Sequence, residues 1–167
     1  SPPRTWRATA PAKSSWRHRP AGIPRCAGRR AVSAPDRPWR VLVTGWRDWP
    51  ASHRGVIWQA LAAETHRHRG PIVVVQGECP YGGVDRWAKE WAEQDPRATN
   101  EPHPADWKQY GKKAGMIRNG IMVKAGGDLC LGFPGPKSRG TWDCPQKAVD
   151  ADIPCKVFPW STLHASR

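Results

Sequence analysis

Residues 40–50 read RVLVTGWRDWP. The apolar run Val41-Leu42-Val43 is short and unbroken, which suits a strand covered on both faces, as in a parallel sheet. Gly45 breaks the run, and Arg47 and Asp48 follow just before a helical pattern begins. In open parallel sheets, ligands bind beyond the carboxyl ends of the strands, where loops enter helices. The glycine, guanidinium and carboxylate at this strand end are therefore candidates for one wall of a site. A tight strand-to-helix turn with a surface ion pair fits the same residues.

Working outward, strand and helix signals alternate. Residues 53–66 place Val56, Ile57, Ala60 and Leu61 on one helical face, and Gly70-Pro71 ends that helix. Residues 72–75 form a second buried strand. After the glycine-rich stretch 77–83, Val84, Trp87, Ala88, Trp91 and Ala92 recur at helical spacing until Asp95-Pro96 stops them. A short strand is expected near 99–103, a polar loop at 104–107, and a helix at 114–125 closed by Gly126-Gly127. Strand 128–133 (DLCLGF), turn 134–140, helix 141–151 and strand 153–158 complete the pattern. Single helices between strands imply right-handed βαβ units. The expectation is an α/β fold: a Rossmann-like, three-layer α/β/α domain over residues 40–160, with a parallel sheet of about five strands and a C-terminal tail at 161–167.

The chain has 167 residues and a net charge of +13, and its length suits a single core. The charge is unevenly placed: residues 1–39 hold nine Lys/Arg against the single acid Asp36. Seven prolines and no apolar period in that segment predict a disordered basic tail. It could contact nucleic acid non-specifically, with Trp6 and Trp16 among the arginines. No apolar run is long enough to span a membrane, and the start lacks a signal-peptide core. The five cysteines have no CxxC spacing. Reduced thiols in a cytoplasmic protein are expected, with no metal site and no required cofactor.

A parallel sheet would bring four loops to one edge. The first holds Gly45, Arg47 and Asp48. The second, Gly77 to Gly83, has paired glycines at a helix start, where backbone amides and the helix dipole favour phosphate. No Lys-Ser/Thr follows, so this is not a Walker loop, and Gly-x-Gly-x-x-Gly is absent. The third region carries Lys112, Lys113, Arg118 and Asn119. The fourth offers Ser138, Arg139, Gly140 and Thr141, a good phosphate cradle that ordinary helix capping also explains. Asp85 suits either the helix dipole or ribose hydroxyls. Glu78, Asp48 and Asp85 are the carboxylates available for catalysis. Trp46, Trp49, Trp107 and Tyr81 suit either base stacking or closure of the core.

VTGWRDW (43–49), GECPYGGVDRWAKEWA (77–92), HPADWKQYGKKAGMIRNGIMV (103–123) and FPGPKSRGTWDC (133–144) stand in order along the chain. Together they resemble the YspA-type, cpYpsA-related branch of the SLOG superfamily, whose Rossmann-like fold is similar to that of the DprA and LOG proteins. The resemblance covers about residues 40–159. It implies a cleft for a nucleotide or a nucleotide-derived, NAD-derived signalling ligand, in a sensor or accessory domain. The implied ligand set is Gly45, Arg47, Asp48, Gly77, Gly82, Gly83, Asp85, Arg118, Asn119, Ser138, Arg139, Gly140 and Thr141. Trp46 stands where a small residue is usual, and Val84 where alanine often does. The Pro-Gly-Gly-x-Gly-Thr-x-x-Glu signature of LOG phosphoribohydrolases is missing, so their catalytic carboxylate does not carry over. The alternatives are cleavage or transfer at an N-glycosidic bond, or DprA-like nucleic-acid binding. Self-association stays open.

Overall fold

The computed structural model describes residues 37–136 and 140–163. Of the basic segment expected as a tail over 1–39, residues 1–36 lie outside the described residues, as do Ser138 and Arg139, whereas Trp39 already stands in the first strand.

The predicted alternation is present. Strands β1 (Trp39–Gly45), β2 (Ile72–Gln76), β3 (Ala98–Pro102), β4 (Leu129–Phe133) and β5 (Cys155–Val157) form one sheet in the order β3-β2-β1-β4-β5. Every pairing is parallel. The helices are α1 (Arg54–Thr65), α2 (Val84–Gln94), α3 (Trp107–Tyr110), α4 (Ala114–Lys124), α5 (Asp143–Asp150) and α6 (Trp160–Leu163).

Side chains alternate across the strands, and the two sets face different layers. Val41, Val43, Ile72, Val74, Leu129 and Leu131 pack with Ile57 and Leu61 of α1 and with Trp87, Ala88 and Trp91 of α2. Leu42, Val75 and Cys130 pack with Met122 and Val123 of α4 and with Cys144 and Ala148 of α5. The sheet is therefore buried on both faces, which accounts for its unbroken apolar runs. The expected faces of α1 and α2 are the ones that pack inward.

Three elements differ from the sequence reading. The polar stretch after β3 contains a one-turn helix, α3, started by Asp106, whose carboxylate accepts from the Gln109 N–H at 2.9 Å. The strand expected over 153–158 narrows to Cys155–Val157. Beyond it, α6 places Trp160 edge-on against Trp49 and Trp46 at 5.1 and 5.6 Å. Trp160 thus belongs to the core around the β1 exit, a role that no local period signalled.

Candidate functional site

From β1 the chain moves outward to β2 and β3, then returns to β4 on the other side of β1. The carboxyl ends of β1 and β4 are therefore the switch point, where loops diverge and a crevice is expected. Here the gap is partly filled. The Trp46 N–H donates to Phe133 O at 2.9 Å. The Trp46 ring lies so close to Gly135 that a Cβ there would stand 2.3 Å from it. Trp49 is 2 % exposed and packs edge-on to Phe133. Of the aromatic stacking candidates, Trp49 closes the core and Trp46 narrows the mouth. Tyr81 and Trp107 stay open, at 75 % and 52 % exposure.

Between β1 and α2 the backbones nearly touch. A Cβ on Gly83 would lie 2.2 Å from Arg47 O, and Gly83 has φ 68°, a left-handed conformation that favours glycine. A Cβ on Gly45 would lie 2.3 Å from the Val84 side chain. The Gly82 N–H donates to Cys79 O at 3.1 Å, and the Val84 N–H to Trp46 O at 3.2 Å. These two amides of the glycine loop thus make internal bonds. Arg47 and Asp48 are exposed and do not pair with each other; the Arg47 guanidinium lies 5.9 Å from the centre of the Tyr81 ring.

Asp85, Arg118 and Asn119 come together as a buried polar chain. Asp85 is 6 % exposed and Asn119 4 %. Asp85 Oδ2 accepts from the Cys79 N–H at 3.1 Å and sits 3.6 Å from Arg118 Nη1. Burial raises the Asp85 pKa, opposed by Arg118 and by the Cys79 and Gly77 N–H groups. Arg118 Nε donates to Asn119 Oδ1 at 3.0 Å, and Asn119 Nδ2 donates to Asp143 Oδ2 at 3.0 Å. Lys147 Nζ extends the chain, donating to Asp143 at 2.6 Å and to Met116 O at 2.9 Å. The Arg118 guanidinium lies over Gly77, where a Cβ would be 1.2 Å from Nη1. These contacts join the β2 exit, α2, α4 and α5. Sequence reasoning missed Asp143 and Lys147, although their i,i+4 spacing marks a helical ion pair.

Glu78 is exposed, with φ 45° at a non-glycine residue. Its N–H donates to the buried Gln76 side chain, which donates in turn to Asn100 Oδ1 at 3.1 Å. Thr141 is buried in the turn Gly140–Trp142 ahead of α5. Lys112, Lys113 and Tyr110 are exposed beside Trp107. Two shallow hollows lie elsewhere. One, of about 430 Å³, is lined by Trp58, Trp91 and residues 94–97, which precede β3 and so lie at the amino end of the sheet. The other, of about 330 Å³, lies between α4 and α5. Neither gathers the strand-end loops.

The order 3-2-1-4-5, the parallel pairings and the glycine-tightened β1–α2 junction define a Rossmann-like protein with its variable loops at the carboxyl edge. The chain belongs to the YspA, cpYpsA-related SLOG family, whose model matches residues 39–110. It is 45% identical over 121 residues to the Gene 61 protein of Mycobacterium phage D29, covering 71% of this chain and 95% of that protein. No solved structure matches the chain significantly. Membership of this family points to a nucleotide-related ligand or activity. Among the described residues, no helix is long and apolar enough to cross a membrane.

Proposed function

We propose that this protein binds a nucleotide or a nucleotide-derived ligand, NAD-derived signalling molecules included, at the carboxyl edge of its sheet, as a sensor or accessory domain. The observation that carries the reading is one of exposure. Tyr81, Trp107 and Tyr110 are open to solvent on the loops after β2 and β3, although large aromatic rings usually pack. Exposed Arg47, Lys112 and Lys113 belong to the same set of loops. Planar rings interleaved with cations suit a base and its phosphates. The Arg47 guanidinium beside Tyr81 is a ready cationic partner for phosphate. Ser138, Arg139, Gly140 and Thr141 would supply the rest of the phosphate cradle, and Gly82 the close backbone approach, since Gly45, Gly77 and Gly83 are closed off by Val84, Arg118 and Arg47.

The test is incubation of the purified protein with a panel of mononucleotides, dinucleotides and cyclic nucleotides, with native mass spectrometry for retained ligand. Trp107→Ala should weaken binding of the best ligand by about 1–3 kcal/mol. Arg139→Ala should weaken it by about 1.5–3 kcal/mol, the scale of a hydrogen bond to a charged group. No retained nucleotide, or wild-type affinity in both folded variants, would sink the reading.

A second reading rests on Glu78. Its positive φ and exposed carboxylate at the β2 exit are the kind of local strain that clusters at functional sites. There it would serve N-glycosidic cleavage or transfer, with Asp48 as the other exposed one of the three candidate carboxylates. Free base released from any panel member, and lost in Glu78→Gln, would favour this reading. Intact ligands after long incubation would remove it.

A further inference from the structure

Three cysteines widely separated in sequence meet on the α4/α5 face of the sheet. Cys130 on β4 and Cys155 on β5 are direct register partners in a parallel pair. Paired residues on neighbouring strands project to the same face, and the strands lie about 4.8 Å apart. That spacing falls inside the Cα separation of about 4.4–6.8 Å that a disulfide needs. Cys144, in the first turn of α5, packs in the same cluster, and Cys155 packs against it. Cys130 and Cys144 are fully buried, whereas Cys155 is partly exposed on the edge strand.

We infer that Cys155 and Cys130 form a thiol-oxidation site, with Cys155 the peroxide-reactive thiol and Cys130 its resolving partner. The chemistry needs a hydroperoxide as oxidant. The Cys155 thiolate attacks one peroxide oxygen; an S–O bond forms, the O–O bond breaks, and the departing hydroxide leaves as water after taking up a proton. Cys155 is then a sulfenic acid. The Cys130 sulfur attacks the Cys155 sulfur; an S–S bond forms, the S–O bond breaks, and the hydroxyl leaves as water with the Cys130 proton. Two thiols are oxidised to one disulfide, and one peroxide is reduced to two waters.

The order of attack follows from the surroundings. Cys155 lies on the edge strand, where a small peroxide reaches it first. The neighbouring Cys130 thiol holds the Cys155 pKa below the ordinary thiol value, while the Cys144 and Cys155 thiols, and then burial, push the Cys130 pKa up. Of the two, the more exposed member thus forms more readily the thiolate, the form in which cysteine reacts. Cys79 is also partly exposed but has no cysteine opposite it on a neighbouring strand, so it serves as an internal reference.

The experiment treats the reduced full-length protein with a small excess of hydrogen peroxide under native conditions. Remaining thiols are alkylated, and tryptic peptides are mapped without reduction. Cleavage after Lys124, Lys137, Arg139, Lys147 and Lys156 places Cys130, Cys144 and Cys155 on three different peptides. The expected product is a Cys130–Cys155 linked peptide, from protein that runs as a monomer on a non-reducing gel. Cys144→Ser should keep this link, and Cys155→Ser should lose it. Cys155→Ser should still fold, because its side chain is partly exposed. Recovery of Cys130 fully alkylated while Cys155 stops at sulfenic or sulfinic acid would overturn the assignment. So would a dominant link from Cys130 to Cys144, or oxidation of Cys79 ahead of Cys155. The wild-type map decides the matter even if a variant misfolds.

Discussion

Gly77→Ala is the substitution that most directly tests the buried chain at the β2 exit. Gly77 carries no positive φ, so an alanine backbone is comfortable there. The difficulty is space, since the new Cβ would lie 1.2 Å from Arg118 Nη1 and 2.1 Å from Cζ. The guanidinium is the far end of a flexible side chain and can swing away. Doing so breaks its 3.0 Å bond to Asn119 and its approach to Asp85. Asp85, almost wholly buried, then keeps only backbone donors against its charge. Losing the charged hydrogen bond from Arg118 to Asn119 in such a place costs about 1.5–3 kcal/mol, and the stranded Asp85 charge adds to it, so Gly77→Ala should destabilise the domain by about 2–3 kcal/mol. In an Arg118→Ala background the clash is gone. The same change should then be neutral, or stabilising by about 0.4–1 kcal/mol through the unfolded chain. Urea denaturation of the four proteins gives the coupling as a double-mutant cycle. Additive effects, or a Gly77→Ala protein as stable as wild type, would refute the placement of Arg118 over Gly77.

Two further predictions concern the frame around the site. Glu101 accepts both Arg40 Nη atoms at 2.8 Å and lies 2.8 Å from His103 Nε2. The Arg40 hydrogen bonds, then that from His103, hold its pKa at about 2 against an ordinary 4.5. A lowered carboxyl pKa stabilises fully above the unfolded value, and the gain is lost as pH falls from about 4.5 through about 2. The ceiling is about 3 kcal/mol, but Glu101 is 34% exposed, so about 1–2 kcal/mol is expected after solvent screening. Melting scans should show Glu101→Gln less stable than wild type at pH 7 and equal to it near pH 2; parallel curves would refute the pairing. Gly83→Ala meets both φ 68° and the Arg47 carbonyl, whereas Gly82→Ala meets φ 98° but only an ordinary 3.7 Å contact with Arg86 Cδ. The first should cost at least about 2 kcal/mol more than the second, and equal unfolding midpoints would count against the tight β1–α2 junction.

The sheet and its helices were legible because they obey local periods. Val41 to Val43, Ile72 to Val75 and Leu129 to Leu131 are unbroken apolar runs of strand length, and α2 repeats its apolar face over three turns. What could not be read locally depends on pairing across long separations. Trp160 is needed because the Trp46 and Trp49 rings lack cover from their own neighbourhood. The opposition of Cys130 and Cys155 is a matter of register, fixed only once β5 lies beside β4. The internal engagement of Arg118 and Asn119 was invisible for the same reason: their partners Asp85 and Asp143 lie on other helices.

That engagement changes how the charges at the carboxyl edge are divided. A cation 17% exposed, bonded to Asn119 and facing a buried carboxylate, is placed to hold α4 against the β2 exit. It can meet a ligand only with the atoms those contacts leave over, and any ligand that draws it outward must also offset the stranded Asp85 charge. Arg47, Lys112 and Lys113 carry no such cost, being exposed and without an ion-pair partner among the described residues. Electrostatic attraction at this edge therefore falls first to the loops, and Arg118 sets the spacing between them. The glycines divide in a similar way. Gly77, Gly83 and Gly45 are required by the protein's own close contacts, while Gly82, with φ 98°, has only an ordinary 3.7 Å contact with the Arg86 side chain. Of the four, Gly82 is the position whose Cα face no close contact of the fold covers, so a ligand can approach there even though its N–H is bonded to Cys79 O.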